Sequence, residues 1–260
     1  MVDVEACVRL AECEVREGLG WESVPLEMLY AAEPWRTFRW YMGQKHYSGS
    51  HWSSTQSDHV IYESRLELAR LLYADFDRDV TAIVAQPFLL RAEVDGALRR
   101  HIPDYLMATT AGPMVVDVKP RHRAARPEHA FTFAWAREAV ESRGWRYEVW
   151  SEPPEAELVN VRFLAGYRRD WLFGGDLLEE EHEEAVDEEP PPERLFDRAV
   201  LDDVRDRVAY GDTLGEAFAC LPGRPAPLVR AAVLYLLWKQ QWLTDLSVPL
   251  SARSVLRGVS

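Results

Sequence analysis

Apolar and polar positions recur along this chain with two periods, and the changes of period mark its elements. From Tyr62 to Asp75 the period is helical. Glu63, Glu67 and Arg70 fall on one face at i, i+4 and i+7, while Leu66, Leu68, Ala69, Leu71 and Leu72 cover much of the rest. Beta character follows. Thr81–Ala85 and Phe88–Ala92 are short apolar runs separated by Gln86-Pro87, and Asp95-Gly96 makes a hairpin turn that needs positive φ. Ala97–Ile102 and Tyr105–Met107 form the return. After the turn Ala111-Gly112-Pro113, Met114–Val118 is an apolar strand interrupted only by Asp117. Pro127–Arg143 is amphipathic and helical, with Gly144 as its stop, Trp145–Trp150 reads as a strand, and Glu155–Arg169 includes a further helix. Helix, meander, helix, strand, helix predicts an α/β domain in which helices flank a mixed sheet.

The flanking regions read differently. Residues 1–60 are expected to be an N-terminal extension packed on residues 61–175, with a short helix within Leu10–Leu29. Arg36–Trp52 is dense in aromatic and basic groups (Trp35 at its edge, Phe38, Trp40, Tyr41, Lys45, His46, Tyr47, Trp52). It reads either as a DNA-contacting hairpin or, more plainly, as a strand pair packing on the core. Residues 176–193 form an acidic, proline-ended linker. Residues 194–260 carry three helical stretches, Arg194–Ala209, Thr213–Leu221 and Ala226–Gln241, then a short strand at Trp242–Leu246. That is the outline of a winged helix-turn-helix. Tyr235, Trp238, Trp242 and Leu246 are more apolar surface than so small a unit easily buries, which predicts an exposed partner-docking face.

Charge changes this picture in one respect. The net charge of −13 is concentrated: ten acids and no lysine or arginine lie between Asp176 and Glu193, leaving 30 basic and 33 acidic residues elsewhere. The folded parts are near neutral. They give no strong positive field for DNA, so partner proteins are expected to supply the grip, and cleavage by the isolated chain is expected to be weak or absent. Only three of the 30 basic residues are lysines, Lys45, Lys119 and Lys239. In so arginine-rich a background, a lysine at a chemically suggestive position points to a need for a compact cation able to lose its proton. Three cysteines, Cys7, Cys13 and Cys220, cannot all pair, and no apolar stretch is long enough to span a bilayer. A reducing, cytoplasmic setting is expected.

The stretch that carries chemistry is Ile102-Pro103-Asp104 followed by Asp117-Val118-Lys119. Asp117 and Lys119 are two apart on a strand and point to one face. Asp104 lies at the end of a neighbouring strand, and Glu67 or Glu63 reaches the same edge from the preceding helix. Phosphodiester hydrolysis uses such a set. Asp104, Asp117 and either Glu67 or Glu63, with the Val118 carbonyl, would hold a hard cation such as Mg²⁺ or Mn²⁺, and Lys119 would orient the attacking water or stabilise developing charge. Each motif alone has a plain structural reading, since Pro-Asp marks turns and Asp-x-Lys marks solvated strand faces. Their joint order, with Asp117 set among apolar residues that penalise an unpartnered charge, is the informative feature.

The segments Glu63-Ser64-Arg65-Leu66-Glu67, Gln86-Pro87, Pro103-Asp104-Tyr105 and Asp117-Val118-Lys119-Pro120 resemble the nuclease region of TnsA-like transposon endonuclease subunits, over roughly residues 36–175. Leu243-Thr244-Asp245-Leu246 and Pro249-Leu250-Ser251 resemble that family's C-terminal winged-helix region more loosely. The resemblance implies a restriction-endonuclease-like fold and a metal-dependent DNA endonuclease with Glu67, Asp104, Asp117 and Lys119 as catalytic residues. It also implies cleavage at the 5′ ends of a transposon, on double-stranded DNA. The implied partners are a TnsB-type transposase and an ATP-dependent regulator of TnsC type. The alternatives are a stand-alone nuclease for repair or defence, and a non-catalytic DNA-binding or scaffold protein.

Overall fold

The computed structural model describes residues 4–36, 47–169 and 199–258. The aromatic-rich residues 37–46 and the acidic segment 176–193 lie outside the described residues. The chain is mixed α/β and divides into two compact units, Met1–Glu152 and Pro153–Ser260. The sequence reading ended the first unit near residue 175. The boundary instead precedes the helix Glu155–Leu164, which belongs with the C-terminal unit.

The first unit holds a four-stranded mixed sheet in the order β10-β9-β8-β5, where β5 is Val80–Ala85, β8 Tyr105–Thr109, β9 Met114–Val118 and β10 Arg146–Trp150. β9 runs antiparallel to β8, with Tyr105 opposite Val116, and parallel to β10, with Val115 opposite Tyr147. Strand alternation sorts its two faces. Leu106, Val115 and Tyr147 share a core with Phe133, Trp135, Ala136, Ala139 and Val140 of α4 (Pro127–Ser142). Tyr105, Met107, Val116 and Val118 share another with Leu71 and Ala74 of α2 (Arg65–Phe76). Met114–Val118 reads as almost wholly apolar because it is covered on both faces.

The Asp95-Gly96 turn is formed, with φ of 52° and 69°. Its hairpin does not extend the central meander, however. β6 (Leu89–Val94) and β7 (Ala97–His101) pair with β1 (Val4–Arg9) and β2 (Val15–Gly20) in a second sheet, ordered β2-β1-β6-β7. The N-terminal segment is therefore an integral strand layer. Ala6, Val8 and Trp21 sit in the same core as α4. The helix expected within Leu10–Leu29 is reduced to α1 (Leu26–Tyr30), with β2 occupying the middle of that span. A third, two-stranded sheet pairs β3 (Gly49–Ser53) with β4 (Asp58–Tyr62) and contributes Val60 and Tyr62 to the α2 core.

In the second unit α5 (Glu155–Leu164), α6 (Ala199–Arg207), α7 (Leu214–Phe218) and α8 (Ala226–Trp238) follow α3 (Arg121–Ala124) and α4 of the first unit in chain order. α8 is buried on almost every side from Ala231 to Trp238, as its uninterrupted apolar run requires. Buried Asn160 of α5 donates to the carbonyls of Leu246 (2.9 Å) and Val248 (2.8 Å) and accepts from Leu250 N–H (3.1 Å). Two sequence expectations change here. Trp242–Leu246 is not a strand; only an isolated bridge joins Leu243 to Arg257. Tyr235, Trp238 and Trp242 are 9%, 3% and 6% exposed, so the surplus aromatics expected on the surface lie inside. Among the described residues no helix is long and apolar enough to cross a membrane.

Candidate active site

The β8–β9 pairing builds the site. Continuing its register one step beyond Tyr105 and Val116 sets Asp104 across from Asp117 at one end of the sheet. Oδ2 of Asp104 accepts the Val118 N–H at 2.6 Å, so this carboxylate is tied to the neighbouring strand. Lys119 directly follows β9. Its N–H donates to the Trp150 carbonyl (2.9 Å) and its carbonyl accepts from Ser151 Oγ (2.8 Å), which fixes the backbone where the side chain leaves the sheet. Glu67 comes from the first turn of α2, and Glu63 from just before it. Glu63, Glu67, Asp104, Asp117, Val118 and Lys119 all line one cleft of about 530 Å³. All the residues singled out in the sequence are thus brought to a single place.

Glu67 is held in place by the start of its own helix. The Ser64 hydroxyl accepts the Glu67 N–H (3.2 Å) and donates to Glu67 Oε1 (2.8 Å), while Oε2 accepts the Glu63 N–H (2.7 Å). Ser64 is thus the N-cap of α2, and Glu67 reaches back past it to the N–H of the preceding residue, which engages both carboxylate oxygens. Glu63 is not on the helix, contrary to the sequence reading. Its carboxylate receives Arg36 (3.2 Å) and Gln86 Nε2 (2.7 Å).

Electrostatically the cluster is unbalanced. Burial pushes the Asp104 carboxyl well above its usual range, and the neighbouring charges of Asp117 and Glu67 push it further. The Val118 N–H and the Lys119 ammonium offset only part of this. Burial also raises Glu67, against the pull of its capping hydrogen bonds. Asp117 is 2% exposed, and both of its polar partners converge on Oδ2: the Tyr147 hydroxyl, which donates, and His101 Nε2 at 2.8 Å. Burial and the Asp117 charge raise the Tyr147 phenol, so it stays protonated and able to donate.

Two residues of the site were not identified from sequence, and a third, Gln86, was named there only as part of the Gln86-Pro87 segment. His101 and Tyr147 hold Asp117. Buried Gln86 links Glu63 to the strand carrying Asp104, since its backbone N–H donates to the Asp104 carbonyl (2.8 Å) and its Oε1 accepts the Arg36 N–H (2.8 Å). Gln86 has φ of 49°, a conformation unfavourable for a residue with a side chain and maintained here by these bonds. Its position before Pro87 was a usable signal, whereas nothing in the sequence distinguishes Tyr147 from other strand aromatics. Among the described residues no group of three or more His, Cys, Asp or Glu side chains stands ready to hold a metal ion. No family model and no curated protein matches the chain.

Proposed function

We propose that this chain is a metal-dependent DNA endonuclease with a restriction-endonuclease-like core. The order α2, β5, β8, β9, α4, β10, with β9 antiparallel to β8 and parallel to β10, supports that core. The observation that carries the reading is the placement of Asp104 opposite Asp117, with Lys119 and Glu67 in the same cleft. The reading extends to a TnsA-like subunit acting at transposon ends with TnsB- and TnsC-type partners, on the sequence resemblance alone. A transposase gene beside this one would favour that extension over a stand-alone nuclease.

The donor chemistry suits a hard divalent cation. Asp104 and Asp117 present carboxylate oxygens at one sheet end, and the excess negative charge that raises Asp104 is what such an ion would neutralise. Asp104 and Asp117, with the Val118 carbonyl, would hold Mg²⁺ or Mn²⁺. The ion would polarise the phosphoryl oxygen and acidify a bound water. The chain's own groups do the rest. His101 and Tyr147 occupy Oδ2 of Asp117 and so fix the rotation of its carboxylate, and Lys119 places a compact positive charge beside the phosphoryl group. Glu67 holds the start of α2 and adds its charge to the same cleft.

The test is nicking of supercoiled plasmid by the purified chain at low salt with Mn²⁺ or Mg²⁺. Open-circle product should exceed that of an Asp104→Asn preparation and should vanish with EDTA. Equal nicking by both preparations, or nicking that survives EDTA, would leave the carboxylates without this role.

A further inference from the structure

From the arrangement of cations around the cleft, and resting on the endonuclease reading, we infer that β7, α3 and the start of α4 form a surface that grips the DNA backbone beside the carboxylates. The near-neutral overall charge conceals a local asymmetry. The cleft continues into a second, open groove of about 720 Å³ between β7 and α4, and Arg100 and Thr132 line both. Arg99 lies 5.0 Å above the Phe131 ring on one wall of this groove. α3 connects Lys119 to α4, whose first residue, Pro127, lines the other wall. Its segment presents Arg121, His122, Arg123 and Arg126, all exposed.

Few of these charges are neutralised within the protein. Arg121 is engaged with Glu152 through its backbone N–H (2.9 Å) and its guanidinium (3.2 Å to the carbonyl). Among the described residues Arg99, Arg100, Arg123 and Arg126 form no ion pair. Glu128 is the acid lining the groove. The sixteen-residue α4 also begins here without a side-chain cap, so the positive end of its dipole adds to the field. Exposed arginines at a concave edge, with no acid partners, suit a regular row of phosphates. A flat or amphipathic face would favour a lipid surface, and this one is a groove that leads to the acidic cluster. Such contacts give affinity without sequence preference, through counterion release.

Binding of a fluorescent duplex to the purified chain in EDTA, across a salt series, tests this independently of cleavage. The wild type should bind with an affinity that falls as salt rises. A variant carrying Arg100→Gln, Arg123→Gln and Arg126→Gln should bind at least about 10-fold more weakly at low salt, with the slope of log affinity against log salt reduced by about 2.7. A control with Arg16→Gln, Arg162→Gln and Arg253→Gln, three exposed positions elsewhere, should keep most of its affinity. Unchanged binding in the first variant, equal losses in both, absence of salt-dependent binding by the wild type, or preference for anionic vesicles over duplex would each overturn the surface. If plasmid nicking is present in that event, the surface alone has failed. If the surface behaves as described while nicking is absent, the endonuclease reading fails and the surface stands.

Discussion

Asp104→Asn is expected to lower metal-dependent nicking by on the order of 10³-fold or more, the scale of losing a central charge-stabilising group from an active site. The same substitution should leave the melting temperature unchanged or raise it. Burial, Asp117 and Glu67 all oppose the Asp104 charge, so removing that charge relieves a cost of folding. The asparagine oxygen can still accept the Val118 N–H. Lost activity with retained or increased stability is the signature of a group kept for chemistry. Lys119→Arg should be inactive as well, because the larger planar guanidinium neither fits a point-charge role nor releases its proton; full activity in this variant would refute the assigned role. Glu67 separates along different lines. Glu67→Gln keeps an acceptor for the Glu63 N–H and can donate its amide to the Ser64 hydroxyl in place of the second acceptor, so it should melt near the wild type while losing cleavage, whereas Glu67→Ala should also cost about 1 kcal/mol of stability.

Asp75→Ala is expected to destabilise the first unit by about 3–5 kcal/mol, as removal of one partner from a buried charged network does. Asp75 ends α2 beneath the β3–β4 hairpin and accepts or shares five hydrogen bonds: His51 Nε2 (2.8 Å), Ser53 Oγ, Ser54 N–H (3.1 Å), and Thr55 through N–H (3.3 Å) and Oγ1 (2.9 Å). Burial alone would raise its carboxyl, but the bonds from His51, Ser53 and Thr55 outweigh burial and hold it below the usual range. For an acid lowered on folding, the stabilisation is complete above the unfolded value of about 3.9 and disappears as pH falls through the folded value. Urea titrations should therefore show the wild type losing stability below about pH 4, with a smaller loss in Asp75→Asn. Identical acid profiles, or a loss under about 1 kcal/mol in Asp75→Ala, would show that the network does not secure the hairpin.

The legible parts of the fold were those in which one segment decides its own conformation. The helical period of Leu66–Leu72 announced α2, though not its start at Arg65, Asp95-Gly96 announced its hairpin, and Gly144, at φ 73°, the end of α4. Partner choice was not legible. β6 and β7 have the same alternation whether they extend β5 or join β1, and only the distant strand Val4–Arg9 decides between them. The same limit applies to the site. Asp104, Asp117 and Lys119 were readable because they lie at one end of a short antiparallel pair, where register follows from sequence spacing. His101 and Tyr147 reach Asp117 from β7 of the other sheet and from β10, through contacts that no local pattern encodes. The aromatics of α8 misled for a related reason: a helix that is apolar all round implies burial, and they are buried.

Anomalous diffraction from crystals of the protein soaked in Mn²⁺ tests the central claim most directly. The predicted result is a peak bounded by the Asp104 and Asp117 carboxylates in the wild type that is absent from Asp104→Asn crystals soaked in the same way. A wild-type map with no peak between those two carboxylates, or the same peak in both crystals, would contradict it.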